Sequence, residues 1–575
     1  MTQKPKRGLS RRAFLQTASL VGTASLLPAI SNPAKAAAIG PAVPRTQGDE
    51  IDVAIVGAGV SGVYSAWRLK QDDPNRIIVV FDAADYVGGR LLSLSPPDIS
   101  NMVAELGGMR ILPSVQTRMS KLLDTLNGQL AAEDQIETYD FPVDQPQNIA
   151  FLRDTHLRLE EFTSDPDKVP FNLTDLERGQ TGGGIVVNAI EQIVPGITSL
   201  DLDFNQRQQM LQEAVFDGTP LYQQGFWNVL LRIMSDEAYK MAVDTIGYNI
   251  AVSNWNAADG ILGFLADFGV SPVYKGFTKG FQQLPLVLAD LFTAAGGEIR
   301  LNSPVAGFDE QDGVFNLQVG DQTVQAKSLI LAMPRRALEL IAPTSPLLQQ
   351  FPDLIASVTP QPLFKIFTTY DNPWWLEAGY TPANGDYQPL ESGRSVTDLP
   401  LQQTYYWAQG DGSPVTAGPA MLMSSYDDGS HVSFWDGLRP ARGQAWREGL
   451  LVNTPADPFV SECDPAENRD WCAYQAPRKM VAEVSRQLAK MHDLSYTPEV
   501  KNATYRDWGD DPYGGALNFW NVGVKSGEVI EQIVQPVDGH ELYICGEAYS
   551  NWQGWVEGAL QTADLVLAKY GLEPL

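Results

Sequence analysis

Two groups of residues in the sequence could do chemistry. The first is Gly57-Ala58-Gly59-Val60-Ser61-Gly62, a turn whose backbone could cradle a pyrophosphate. Gly57 permits the tight bend, Gly59 lets the main chain approach phosphates, and Gly62 lets a following helix pack on the preceding strand. Asp82, about 20 residues past the last glycine, supplies a carboxylate suited to ribose hydroxyls. The second group is three cations in unusual company. Arg90 follows Gly88-Gly89, and Arg110 follows Gly107-Gly108-Met109. Paired glycines allow close approach to a ligand, and a guanidinium grips phosphate or carboxylate bidentately. Lys365 stands inside PLFKIFTTYDNPWW, Pro362–Trp375. Burying an unpaired ammonium is costly, so it is either held there for a purpose or snorkels from a strand edge to solvent.

The elements that must position these groups follow from periodicity. Ile51–Val56 is a strand-type apolar run, and Val60, Val63, Tyr64 and Trp67 recur at helical spacing. Strand, glycine turn and helix in that order put a helix N-terminus against the phosphates. A second apolar run, Ile77–Phe81, delivers Asp82. From Tyr274 the pattern resumes with a helix over Phe281–Ala294 and a strand over Glu298–Leu301. Phe315, Leu317 and Val319 alternate as in a half-buried strand, and Ser328–Met333 reads as a fully buried one. Near the C-terminus a buried run, Leu542–Cys545, leads through Gly546-Glu547 to a helix over Val556–Tyr570. Between Leu152 and Gly269 lie a glycine-rich turn, Gly179–Gly184, and helical patterns over Arg207–Val215 and Phe226–Met241. The last would place Trp227, Leu230, Leu231 and Met234 on one face. This stretch is either a helical roof over the site or a purely structural subdomain.

Composition narrows the class. At 575 residues, with 44% hydrophobic and 19% charged side chains, the chain is globular and divides into two or three domains. A net charge of −28 argues against nucleic acid and anionic membranes as partners. Three cysteines and four scattered histidines form no metal-ligand pattern. No run of about 20 apolar residues predicts a membrane span. Ser10-Arg11-Arg12-Ala13-Phe14-Leu15, the apolar stretch from Ala18 to Ile30 and Ala34-Lys35-Ala36 look like a twin-arginine export signal over 1–38. This predicts the twin-arginine (Tat) machinery as a partner and a bacterial periplasm, thylakoid lumen or secreted destination. In an oxidising compartment Cys463 and Cys472 could form a local disulfide or remain two free thiols, while Cys545 reads as a buried small hydrophobe.

The dinucleotide turn, Gly88-Gly89-Arg90, Glu105-Leu106-Gly107-Gly108-Met109-Arg110, the segment around Lys365 and the C-terminal Gly546–Val556 stretch occur in one order. In that order the chain resembles the flavin-dependent amine oxidase family, most closely the L-amino acid oxidases. The resemblance implies an α/β fold: a discontinuous FAD-binding Rossmann-like domain (50–95, 270–345 and 535–575) and a mixed α+β substrate domain (96–150 and 346–534). A helical insertion would occupy 151–269. It implies non-covalent FAD, because relatives with covalent flavin use a cysteine just after a Gly-Gly pair, and here Gly514-Gly515 is followed by Ala516. The cofactor contacts it implies are Gly57, Gly59, Ser61, Gly62, Asp82, Gly89, Arg90, Gly107, Gly108, Met109, Arg110, the main chain of Val305, Trp508, Gly546, Glu547, Gly554, Trp555 and Val556.

By the same resemblance Lys365 would hold a water near flavin N5, and Arg110 would bind the substrate carboxylate with help from the Tyr406 hydroxyl. The Gly554 carbonyl would accept from the substrate amine, and Trp555 would form an aromatic wall beside it. Each of these side chains could instead serve only packing. The implied reaction is oxidative deamination of L-amino acids to keto acid, ammonia and hydrogen peroxide. A small residue at Ala516 and the acidic balance, 69 against 41 basic residues, suggest arginine or lysine as substrates, although the sequence places no acid in the pocket. Large apolar side chains are the competing expectation. A monoamine or polyamine oxidase, a dehydrogenase passing electrons to a quinone, and a non-catalytic flavin-binding protein are the other readings, and a homodimer is compatible with all of them.

Overall fold

The computed structural model describes residues 51–97, 99–268, 273–382, 385–439, 459 and 470–575. The export signal expected over 1–38, and Cys463, lie outside the described residues.

Ile51–Val56 is buried along nearly its whole length, as a central parallel strand must be. It pairs in parallel with Ile78–Phe81 on one side and with Gln322–Leu331 on the other. Glu298–Arg300 extends the sheet beyond Ile78–Phe81. The antiparallel strands Val314–Val319 and Val305–Gln311 extend it the other way. Leu542–Ile544 joins in parallel beside the end of Gln322–Leu331. One sheet therefore draws on three separated stretches of chain. Alternate residues of its strands face opposite cores. Val53, Ile55, Val80 and Ile330 pack with the helices Val60–Asp72, Gln283–Ala294 and Val556–Lys569. Ala54, Val56, Leu329 and Leu331 pack with Arg335–Ile341 and Ser526–Val534.

A second, mostly antiparallel sheet runs in the order Asn502–Asp507, Leu363–Tyr370, Ala420–Asp428, Gln403–Tyr406, Arg394–Thr397, Ile149–Leu152, Thr155–Arg158. Leu363–Tyr370 is buried at every position, so Lys365 does not snorkel to solvent. The last two strands correct the start of the stretch expected to be helical from 151. They form a hairpin whose turn residues, Arg153 and Asp154, both lie in the left-handed region (φ 50° and 60°), the two-residue geometry that matches strand twist.

The helices Gly182–Ile193, Phe204–Glu213, Asp236–Ile246 and Ala257–Phe268 follow. Two local expectations are corrected here. Gly182-Gly183-Gly184 open a helix instead of a turn, because the Thr181 side chain accepts from the Gly184 N–H as its N-cap. Phe226–Met241 is not one helix. Ser235 caps a new one by accepting from the Ala238 N–H, and its own N–H and Oγ donate to Glu177. Trp227 and Leu231 face outward while Leu230 and Met234 are buried. Cys472 is disulfide-bonded, and Cys545 is a free, buried thiol. Among the described residues no helix is long and apolar enough to cross a membrane, and no group of His, Cys, Asp or Glu is placed to hold a metal ion.

Candidate active site

A cavity of about 1840 Å³ runs between the two sheets and under the helical region. Small-molecule pockets usually span roughly 300–1,000 Å³, so this one has room for a large cofactor and a substrate together.

At one end lies the glycine turn. Gly57 sits at φ +113°, and a Cβ there would fall 2.3 Å from the Ala332 carbonyl oxygen. At Gly62 a Cβ would fall 1.9 Å from the Gly57 carbonyl oxygen, so only glycine lets helix and turn close together. A Cβ at Gly59 would meet only Gly89 Cα, at 3.9 Å. Gly59 is the N-cap of Val60–Asp72 and offers no side-chain cap, so the first helical N–H groups point toward whatever the cavity holds. Asp82 accepts from the Ala58 N–H at 2.6 Å and from the Ala84 N–H at 2.7 Å. Burial pushes its pKa up, against those two hydrogen bonds. Gly57, Gly59, Ser61, Asp82, Gly89, Arg90 and Val305 all line the cavity, and Gly62 packs behind the turn.

In the middle, Gly546 (φ +140°) and Glu547 reach the cavity from the end of Leu542–Ile544. Arg90 Nη1 donates to Glu547 at 2.6 Å and to the Ala516 carbonyl at 2.9 Å. One guanidinium amino group is thus committed to the protein, so the expected two-pronged grip on a pyrophosphate needs amendment. Glu547 also accepts from the N–H groups of Asn518 and Gly554, which ties the Gly554-Trp555 corner to Arg90. Gly554 (φ +84°), Trp555 and Val556 line the cavity, as do Gly108, Met109 and Arg110. Gly107 lies just behind, since a Cβ there would fall 2.0 Å from the Arg90 carbonyl oxygen.

Arg110 is buried at 6% exposure. Its Nη1 donates to the Tyr405 hydroxyl at 3.2 Å and its Nη2 to the Tyr248 hydroxyl at 3.3 Å. The guanidinium lies 4.1 Å from the centroid of the Tyr274 ring, a favourable cation–π contact. Among the described residues no carboxylate forms an ion pair with it. Tyr248 meets Tyr426 edge to face with centroids 5.2 Å apart, and both line the cavity. Tyr248, Ile250 and Trp255, with Phe264, Asp267 and Phe268 from the helix Ala257–Phe268, form the cover. The helical region therefore does roof the cavity.

Three predicted residues stand elsewhere. Tyr406 points away: its hydroxyl lies 2.7 Å from Ser395 Oγ and 3.0 Å from His492 Nε2. Successive side chains of a strand face opposite sides, so in Gln403–Tyr406 it is Tyr405 that reaches Arg110. Trp508 lies beneath the cavity, its indole N–H donating to the Leu106 carbonyl at 2.7 Å. Lys365 is 1% exposed and donates to the carbonyls of Glu105 and Gly107, at 3.1 and 2.5 Å. Its ammonium lies 4.5 Å from the Tyr426 ring centroid. Burial drives its pKa down, to about 7, against the pull of the Glu105 carboxylate. Lys365 thus braces the Glu105–Gly108 loop and the back of Tyr426 without lining the cavity itself.

The residues missed from sequence are Tyr248, Asp267, Tyr405 and Tyr426. Only Asp267 left a signal: with Asp259 it is one of two carboxylates in the mostly apolar helix AADGILGFLADF.

Comparison with known proteins identifies the family and the fold. The model of the family described as flavin containing amine oxidoreductase matches residues 60–445 and 465–566. Aplysianin-A of Aplysia kurodai is 28% identical over 91% of this chain and 90% of its own. An L-amino-acid oxidase of Mus musculus is 23% identical over 65% of this chain and 53% of its own. The structure of cyclohexylamine oxidase from Brevibacterium oxydans IH-35A superposes with a TM-score of 0.59, covering 91% of this chain and 100% of that one at 16% identity; that likeness shows the fold alone.

Proposed function

Because this chain belongs to the flavin-containing amine oxidoreductase family, we propose that it is an L-amino acid oxidase. The observation that carries the proposal is Arg110: a buried guanidinium lining the cavity, held by neutral hydroxyls and an aromatic face, with no carboxylate in direct ion-pair contact among the described residues. A buried charge needs a partner, and a substrate carboxylate provides one with bidentate geometry. Resemblance to an L-amino-acid oxidase over 65% of the chain supports the same reading.

The family implies FAD, and the cavity fits it. Gly57, Gly59, Ser61 and the start of Val60–Asp72 would hold the pyrophosphate, with Asp82 at the ribose. Gly108, Gly546 and Glu547 would flank the rest, and Val305 would offer its main chain. When bound, the flavin supplies an acceptor for the hydride leaving the substrate Cα. The protein's part is to orient and to exclude water. Arg110 would fix the carboxylate and Trp555 would wall the amine, while the Gly554 carbonyl would accept one of its hydrogens. With a neutral amine so placed, positioning replaces the need for a strong base. The amino acid loses two electrons and two protons to become an imino acid, which water converts to keto acid and ammonia; oxygen takes the electrons and becomes hydrogen peroxide. Residues 1–38 would serve as the twin-arginine leader that exports the loaded protein.

Equimolar keto acid, ammonia and peroxide should form from L- but not D-amino acids when the purified flavoprotein is assayed in air. A protein that releases product only from simple amines would overturn the proposal.

A further inference from the structure

The covered end of the cavity holds one cation, Arg110, and two acids, Asp259 and Asp267. The acids differ in what they can reach. Asp259 Oδ1 accepts from Ser526 Oγ at 2.8 Å, and its Oδ2 is sealed from the cavity. Asp267 is half-buried and lines the cavity. The Tyr274 hydroxyl lies 2.7 Å from both its Oδ1 and its main-chain oxygen. No donor among the described residues serves its Oδ2, and it forms no ion pair there. The Tyr274 ring that bonds Asp267 at its edge carries the Arg110 guanidinium on its face, 4.1 Å from the centroid. Arg110 and Asp267 are thus opposite charges one tyrosine ring apart, both turned toward the same space.

Resting on the L-amino acid oxidase reading, we propose that Asp267 recognises the cationic end of the substrate side chain, so that arginine and lysine are the preferred substrates. Arg110 takes the α-carboxylate, and the side chain carries its guanidinium or ammonium to the free edge of Asp267. Tyr274 fixes the carboxylate and leaves that edge open. A site built to pair a charge discriminates strongly against an isostere that lacks it, because the buried group is then left without a partner. Leucine and citrulline would leave Asp267 unpaired. The competing role is internal: Asp267 could serve only to balance Arg110 through Tyr274. The two roles differ in outcome, since loss of a balancing charge harms every amino acid alike.

The test compares kcat/KM of the full-length flavoprotein and its Asp267→Asn and Asp267→Glu variants for L-arginine, L-citrulline, L-lysine and L-leucine. Flavin spectra and melting temperatures establish that each variant is folded and loaded. Wild type should favour arginine over citrulline, its neutral isostere, by tenfold or more. Asp267→Asn should cut the arginine-to-citrulline and lysine-to-leucine ratios at least tenfold, and Asp267→Glu should restore part of each. A wild type that does not distinguish arginine from citrulline, or a variant whose ratios are unchanged while all four substrates weaken together, overturns the assignment. A wild type that oxidises none of the four but does oxidise simple amines overturns the underlying reading instead, and this inference with it.

Discussion

Arg110 and its tyrosines show what local sequence can and cannot disclose. The arginine was legible because Gly107-Gly108 precede it and leave a gap that a ligand could fill. Its partners were not: Tyr248 and Tyr405 lie 138 and 295 positions away in the chain, and only the closed fold brings them together. Tyr406 was misplaced for a simpler reason. It was assigned by resemblance alone, and in the strand Gln403–Tyr406 a period of two makes a one-residue error a reversal of face. Arg110→Ala should retain flavin yet lose about 2–5 kcal/mol of transition-state binding for amino acids, read as kcat/KM; unchanged kcat/KM would remove Arg110 from the site. The tyrosines should separate cleanly. Tyr405→Phe deletes a hydroxyl that accepts from Arg110 and should lower kcat/KM about tenfold, a charge-assisted bond's worth. Tyr406→Phe should leave turnover within twofold but cost about 1 kcal/mol of stability, because Ser395 and His492 lose their shared partner. Urea unfolding alongside steady-state kinetics checks both, and a Tyr406→Phe variant that is stable but slow contradicts this placement.

At the scale of elements, the strands and helices of the flavin sheet were readable because their chemistry is local. A strand, a glycine turn and a helix each write their own pattern. The helical roof was not readable in detail, because its breaks depend on caps such as Ser235 and on distant partners such as Glu177. Asp428 is another such partner. From the end of the strand Ala420–Asp428 it accepts from the Asn249 and Ile250 N–H groups, at 2.9 and 3.4 Å. It so fastens the turn that carries Tyr248 to the strand that carries Tyr426. Burial raises its pKa to about 7, against hydrogen bonds from Gln402, Ile250 and Asn249. Between the ordinary aspartate value of 3.8 and about 7, the folded chain keeps a proton that the unfolded chain has lost. The unfolded state then binds fewer protons, and stability from this group falls as pH rises through that window and is flat outside it. Asp428→Asn should flatten that part of the urea-midpoint profile from pH 4 to 7 while keeping an acceptor for the turn. A profile with the wild-type slope would mean that Asp428 does not titrate as its burial demands.

For the whole molecule, the cavity exists because three stretches of one sheet, a second sheet and a helical roof meet. The sequence could order these parts but could not show which side chains face inward from the roof. The same layout bears on how flavin is held. Ala516 lines the cavity without a nucleophile, Cys545 is buried with its thiol pKa raised to about 12 by burial, and Cys472 is in a disulfide. Heat or acid denaturation followed by filtration should therefore release all of the yellow colour, and colour retained by the denatured chain would contradict a non-covalent site. The central claim is that a buried guanidinium makes the substrate's carboxylate a requirement. Anaerobic bleaching of the bound flavin by an L-amino acid, against the amine that lacks only its carboxylate (L-lysine with cadaverine, L-leucine with isopentylamine), tests it most directly. The account predicts that each amino acid reduces the flavin at least tenfold faster than its amine at equal concentration, about 1.4 kcal/mol or more of transition-state preference. Amines that reduce it as fast or faster would contradict the claim.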